Sequence, residues 1–173
     1  MLARDINCPV CTSVGRLFDA VASIAGVRQT VTFEAEAAIA LEACCGQESA
    51  QAYPFAIDTS SSPWRIEVDR MIRSILEGSS DSSEVSNRFH STLALICAET
   101  CRKIRSETDV NSVALTGGVF QNLVLLDRTA QALEDRGFQV LTHAEIPPND
   151  GGISYGQAAA AVSRWRKCVW PSP

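Results

Sequence analysis

Two double-glycine turns, Thr116-Gly117-Gly118-Val119-Phe120-Gln121-Asn122 and Pro147-Pro148-Asn149-Asp150-Gly151-Gly152, constrain this chain more than any other feature. Each falls between an apolar run short enough for a buried strand and a periodic run long enough for a helix. A chain that repeats strand, glycine turn and helix builds parallel strands joined by helical crossovers, which predicts an α/β fold with a sheet flanked by helices. Ligands of such sheets gather at the carboxyl ends of the strands, where both turns fall. A Gly-Gly backbone permits close approach of a ligand. The helix that follows offers N–H groups and a positive dipole end to an anion.

The rest of the chain fits that grammar. Thr12 and Ser13 can cap a helix that places Leu17, Phe18, Val21, Ile24 and Ala25 at helical spacing and ends at Gly26. A second, alanine-rich helix is predicted from Glu34 to Cys45, capped by Thr32 and stopped by Gly46. Residues 53–57 and 64–68 read as a hairpin about a polar loop, followed by a short helix over 69–76. A long helix over 84–105 carries Val85, Phe89, Leu93, Ile96, Cys97 and Ile104 near one face and is expected to pack on the sheet. Val110 to Leu115 reads as a strand, 120–136 as a helix closed by Gly137, 138–142 as the next strand and 153–167 as the last helix, before the tail Trp170-Pro171-Ser172-Pro173. The serine-rich stretch 78–83 reads as a surface loop, so residues 1–173 are taken as a single lobe.

Composition removes several function classes. A formal charge of -5 supplies no basic field for a nucleic-acid backbone. No apolar run approaches the roughly 20 residues needed to span a bilayer, and Met1-Leu2-Ala3-Arg4-Asp5 lacks the pattern of a secretory signal, so a cytoplasmic location with no membrane contact is expected. The seven cysteines follow no repeated spacing and suit reduced thiols; Cys8-Pro9-Val10-Cys11 has no second metal-type pair to complete it.

Five positions carry candidate chemistry beside the glycines. Asn122 lies one helical turn past Gly118, where its amide would reach a ribose or a base edge; a plain strand-to-helix turn explains the same residues. Asp150, stiffened by two prolines and followed by two glycines, can ligate a hard or borderline cation or serve as a helix cap. Gly15 and Asp19 would bring bare backbone and, one turn on, a hydroxyl-accepting carboxylate to the same ligand. His90, beside Phe89 and Leu93, reads as a satisfied structural histidine, and His143 is ambiguous. No catalytic triad and no Walker phosphate loop can be assembled.

Taken together, residues 12–22, Thr32-Phe33-Glu34-Ala35-Glu36-Ala37-Ala38, Arg88-Phe89-His90, 114–122 and 147–157 resemble the C-terminal end of the HypF carbamoyltransferases of [NiFe]-hydrogenase maturation. That family's module is similar to the threonylcarbamoyl-transferring TsaD enzymes and has the two-lobed fold of actin and the sugar kinases, with nucleotide between the lobes. The chain resembles its second lobe. The resemblance implies that Gly15 and Asp19 contact the ribose of an adenylate, that Gly117, Gly118 and Asn122 line the adenosine site, and that Asp150 is a ligand of a divalent iron, zinc or magnesium ion. It also implies synthesis of carbamoyl adenylate from carbamoyl phosphate and ATP, and transfer of the carbamoyl group to the C-terminal cysteine of HypE. The family's histidine-pair metal motif belongs to the first lobe and has no counterpart here, and Cys11 departs from the usual serine-rich start. One wall is not a cleft. The lobe is therefore expected to need its other half, in cis or in trans, to turn over. The alternatives are a TsaD-like lobe acting on tRNA, and a non-catalytic fragment that binds nucleotide or docks a partner.

Overall fold

The computed structural model describes residues 4, 6–9, 11–46, 50–78 and 81–169, the last four of these as backbone only. The first residues of the chain, Ser79 and Ser80 of the serine-rich stretch, and the tail 170–173 lie outside the described residues. In chain order the elements are α1 (Val14–Ile24), α2 (Glu36–Ala43), β1 (Ala56–Asp58), β2 (Arg65–Glu67), α3 (Asp69–Glu77), α4 (Ser82–Thr108), β3 (Ser112–Ala114), a 3₁₀ turn (Gly118–Gln121), α5 (Leu123–Glu134), β4 (Gln139–Leu141), a second 3₁₀ turn (Asp150–Gly152) and α6 (Ile153–Val169). The fold is mixed α/β. β1 and β2 pair antiparallel as the expected hairpin. β3 and β4 pair parallel in the register Val113 to Val140, with α5 as the crossover.

Local chemistry explains where the helices start and stop. Helix α1 begins after Ser13 and ends before Gly26, whose φ of 70° takes the left-handed turn that glycine tolerates best. Helix α4 is longer than its apolar pattern predicts because Asp81 accepts from the Ser83 N–H at 2.9 Å and Asp109 closes the far end in the left-handed region. Helix α2 starts two residues later than expected. Ala35 adopts φ 63° there, and the Thr32 N–H and hydroxyl donate to the Glu36 carboxylate at 2.6 and 3.0 Å, so a carboxylate inside the helix ties down the incoming chain.

Two apolar cores share one residue. The larger gathers α1, α2, α3 and the first half of α4 around Phe18, Leu41, Met71 and Phe89, with Phe18 and Phe89 edge to face at 4.9 Å. The smaller joins Ala98 and Cys101 of α4 to Leu115, Leu133 and Phe138 of the β3–α5–β4 unit. Phe120 packs against both. Two arginines fasten the assembly. Arg105 lies over the Phe138 ring at 3.9 Å and donates to the Arg136 carbonyl at 3.0 Å. Arg128 of α5 donates to the Asn87 carbonyl and side chain, to the Ser91 hydroxyl and to the Gly46 carbonyl, a reach that joins α5, α4 and the exit of α2.

The expected sheet with helices on its flanks takes a reduced form. Among the described residues β3 and β4 make a two-stranded pair with α4 and α5 on one face. On the other face Ser112, Ala114, Gln139 and Leu141 are exposed. Helix α6 does not cover it: Ile153, Tyr155, Val162 and Trp165 are all about half or more exposed, from 49 to 66%. No helix among the described residues is long and apolar enough to cross a membrane.

Candidate functional site

A hollow of about 840 Å³ opens where four pieces of chain converge: the start of α1, one side of α2 and both glycine turns. Of the six residues singled out from the sequence, Gly15, Asp19, Gly118, Asn122 and Asp150 line it. Gly117 is not among the lining residues. Its φ of 102° needs a glycine, and its N–H donates to the Pro148 carbonyl at 2.9 Å, so it stitches the first turn to the second. That stitch is why the two turns face the same space. Gly118 sits against Asn149, and a Cβ at Gly152 would lie 2.6 Å from the Pro147 carbonyl oxygen, so the second turn closes only around a glycine. His143 supports the first turn from beyond β4, its Nε2 2.9 Å from the Thr116 hydroxyl.

Asn122 does more, and other, work than a ligand contact. Its Oδ1 accepts from the Leu125 N–H at 2.8 Å and caps α5. This fixes the amide orientation and turns Nδ2 toward His90 Nε2, 2.9 Å away. His90 is fully buried, and its Nδ1 faces the Ser86 carbonyl at 2.8 Å, so Nδ1 carries the proton and Nε2 accepts. Ser86 in turn donates to the Leu41 carbonyl. A buried polar chain thus runs from α2 through α4 to α5 directly behind the hollow. Burial holds the His90 imidazole below the ordinary histidine range, and the Arg128 charge acts in the same direction against a hydrogen bond to Ser86. The structural reading of His90 is the one that the geometry bears out.

The expectation that the helix after the first turn offers unpaired donors to an anion is corrected. The Leu123 and Val124 N–H groups donate to the Glu42 carboxylate at 2.8 and 3.4 Å, and Leu125 is taken by Asn122. Helix α5 also begins three residues later than predicted, because residues 118–121 coil as a 3₁₀ turn before the Asn122 cap.

The hollow is acidic. Among the described residues Asp19, Glu34, Glu42 and Asp150 border it against the single cation Arg16, which is itself bound to Asp19 at 2.9 Å. Such a lining accepts hydrogen bonds from hydroxyl and amino groups and disfavours a bare polyanion. Apolar surface from Val119, Ala38 and Ile39 adds a face suited to a flat ring. Among the described residues no group of three or more His, Cys, Asp or Glu side chains is placed to hold a metal ion. The residues present do not fit a complete metal site, and Asp150, whose carboxylate has no hydrogen-bond partner among the described residues, offers a single ligand at most. Cys97 lies in α4 away from the hollow, and burial pushes its thiol up to about 11, so it is protonated at neutral pH.

Sequence reasoning gave Glu34 no place in the site, only the start of a helix, and passed over Glu42 altogether. The signal was available as spacing: Ala35, Ala38, Ile39 and Glu42 fall at i, i+3, i+4 and i+7, one face of a helix, and that face looks into the hollow. An isoleucine left 54% exposed between alanines marks the same face.

Comparison with known proteins follows this geometry. Residues 1–157 match the family described as carbamoyltransferase, Kae1-like domain, second subdomain. The carbamoyltransferase HypF of Synechocystis sp. is 36% identical over 156 residues, covering 89% of this chain and 20% of that protein. The carbamoyltransferase HypF of Rhodobacter capsulatus is 36% identical over 172 residues, covering 95% and 21%. A crystal structure of full-length HypF in a phosphate- and nucleotide-bound form superposes with a TM-score of 0.82 at 39% identity, over 92% of this chain and 21% of that one. The chain spans about a fifth of the length of these relatives. It belongs to the HypF carbamoyltransferase family, as the second subdomain of its Kae1-like domain.

Proposed function

We propose that the chain supplies the nucleoside-holding wall of a HypF-type carbamoyltransferase site, as one lobe of the two-lobed fold of actin and the sugar kinases. The observation that carries this reading is the convergence of Gly15, Asp19, Gly118, Asn122 and Asp150 on one hollow, from three stretches of chain up to 135 positions apart in number. Gly15 and Gly118 leave open backbone: a Cβ at Gly15 would meet only the Ser13 hydroxyl at 3.4 Å, and one at Gly118 only Asn149 at 4.0 Å. Neither glycine is needed for internal packing, which suits a role toward a guest. The Asp19 carboxylate would accept from ribose hydroxyls, Asn122 would border the adenosine, and the faces of Val119 and Ile39 would meet the base.

The chemistry of the whole enzyme is then shared with a second lobe. Carbamoyl phosphate and ATP would give carbamoyl adenylate with release of phosphate and pyrophosphate, and the carbamoyl group would pass to the thiol of the C-terminal cysteine of HypE with loss of its proton and release of AMP, with this lobe positioning the adenosine half. Asp150 would contribute one ligand to a divalent metal completed by residues beyond this chain, with iron, zinc and magnesium all compatible with a carboxylate. The bare face of β3–β4 and the apolar side of α6 support an assembly in which further protein covers them.

Titration of adenosine into the chain, followed by calorimetry and thermal melting, tests the reading. Binding should raise the melting temperature. Gly15→Ala, which the fold accommodates, should weaken binding by about tenfold, the effect of filling space next to a ligand by about 1.4 kcal/mol. Unaltered binding by both Gly15→Ala and Asp19→Asn would remove the hollow as the site. Release of pyrophosphate from ATP and carbamoyl phosphate by the chain alone would overturn the shared-site proposal.

A further inference from the structure

The Glu42 side chain lines the hollow from α2 and also binds the start of α5, next to the first glycine turn. Its Oε1 receives the N–H groups of Leu123 and Val124, 81 and 82 positions away, at 2.8 and 3.4 Å. A carboxylate in that position occupies the end of α5 that otherwise attracts anions, and the Asn122 cap fills the next donor. We propose that Glu42 is a positioning residue that sets the orientation of the bound nucleotide: its carboxylate holds α2 and α5 at a fixed separation and takes the anion position at the α5 N-terminus, so phosphates are directed away from this wall and the nucleoside end faces it.

Three observations converge on this assignment. The tie is long-range and joins α2, which lines the hollow, to the start of α5 directly after the first glycine turn, so it fixes the spacing of these two walls as well as charge. Among the described residues the one cation on the lining, Arg16, is bound to Asp19. The Gly118–Asn122 segment, which precedes α5, is fixed at its other edge by the Gly117 to Pro148 hydrogen bond, so a shift of α5 relative to α2 would be felt along the whole turn. The orientation part of the inference rests on the nucleoside reading above; the occupancy of the α5 N-terminus does not.

Amide exchange and chemical shifts of Leu123 and Val124, followed by NMR in the whole chain, test it. Inorganic phosphate added to the wild-type chain should leave both amides unmoved; a saturable shift there would overturn the proposal without any variant. In Glu42→Gln the side-chain carbonyl can still accept, and protection of the two amides should stay within about threefold of wild type, whereas Glu42→Ala should speed their exchange about tenfold or more, as expected for one lost hydrogen bond. Glu42→Asp, one methylene short, should behave like Ala, and it serves if the alanine variant does not fold. Phosphate should then shift Leu123 and Val124 in the Ala variant and not in Gln. Unchanged exchange in both Ala and Asp would sink the inference. Adenosine titrated into the same samples separates the two claims: a wild-type chain that fails to bind adenosine while its two amides behave as described refutes the nucleoside assignment and the orientation that rests on it, and leaves the occupancy of α5 established.

Discussion

The two glycine turns look alike in sequence and differ in what their polar groups do. In the first, internal partners hold the polar groups: Gly117 is tied to Pro148, Asn122 to Leu125 and His90, and the helix beyond it to Glu42. In the second, the chain closes on itself within a few residues, through Gly152 packed against Pro147 and the Gly151 N–H donating to the Asn149 side chain at 3.0 Å, and the Asp150 carboxylate is left exposed. One turn is a finished structural joint that borders the hollow. The other presents an acid to that space. Similar glycine spacing therefore does not imply a similar role, and the difference lies in distant residues that the local sequence does not contain.

Four experiments break or sharpen this contrast. The largest effect is expected at Asn122: Asn122→Leu removes the α5 cap and leaves buried His90 Nε2 without its donor, for a combined loss of about 2–4 kcal/mol in urea unfolding. Next comes Gly152→Ala, whose Cβ would collide with backbone; about 1–3 kcal/mol should be lost, and Gly118→Ala, with open space beside it, should cost far less. The third is the pH dependence that His90 lends to the first turn. Its folded-state value is depressed, so between that value and the ordinary 6.5 the unfolded chain binds the extra proton. Stability should be full above about pH 6.5 and fall as pH drops, by up to about 1.4 kcal/mol per pH unit, a slope that His90→Gln removes. A denaturation midpoint that does not move between pH 7.5 and about 5.5 would contradict the neutral, proton-accepting Nε2. The smallest effect belongs to Asp150→Asn, which should change stability by less than about 0.5 kcal/mol. Equal losses at Asn122 and Asp150 would erase the distinction between the turns.

Much of the fold was legible because its signals are local. Apolar spacing marked α1 and α4, glycines at positive φ closed α1 and α5, and the β3–α5–β4 crossover followed from two short apolar runs about a helical one. The parts that escaped are those in which a group finds its partner far along the chain or bends against its type. Ala35 enters the left-handed region and delays α2, which alanine's high helix propensity argues against. Glu42 reads locally as one more charge on a helix and acquires meaning only through Leu123. The site was legible to the same degree. Five of the residues chosen for their chemistry do line one hollow, while Gly117 serves as the stitch that makes it single and Asn122 proves to be a cap as well as a border.

The Arg128 guanidinium has a mechanical consequence. By gripping the exit of α2, the first half of α4 and its own α5 at once, it opposes any sliding of these three helices past one another. One side chain therefore couples three helices, and separating any two of them would strip a guanidinium of partners that water must then replace.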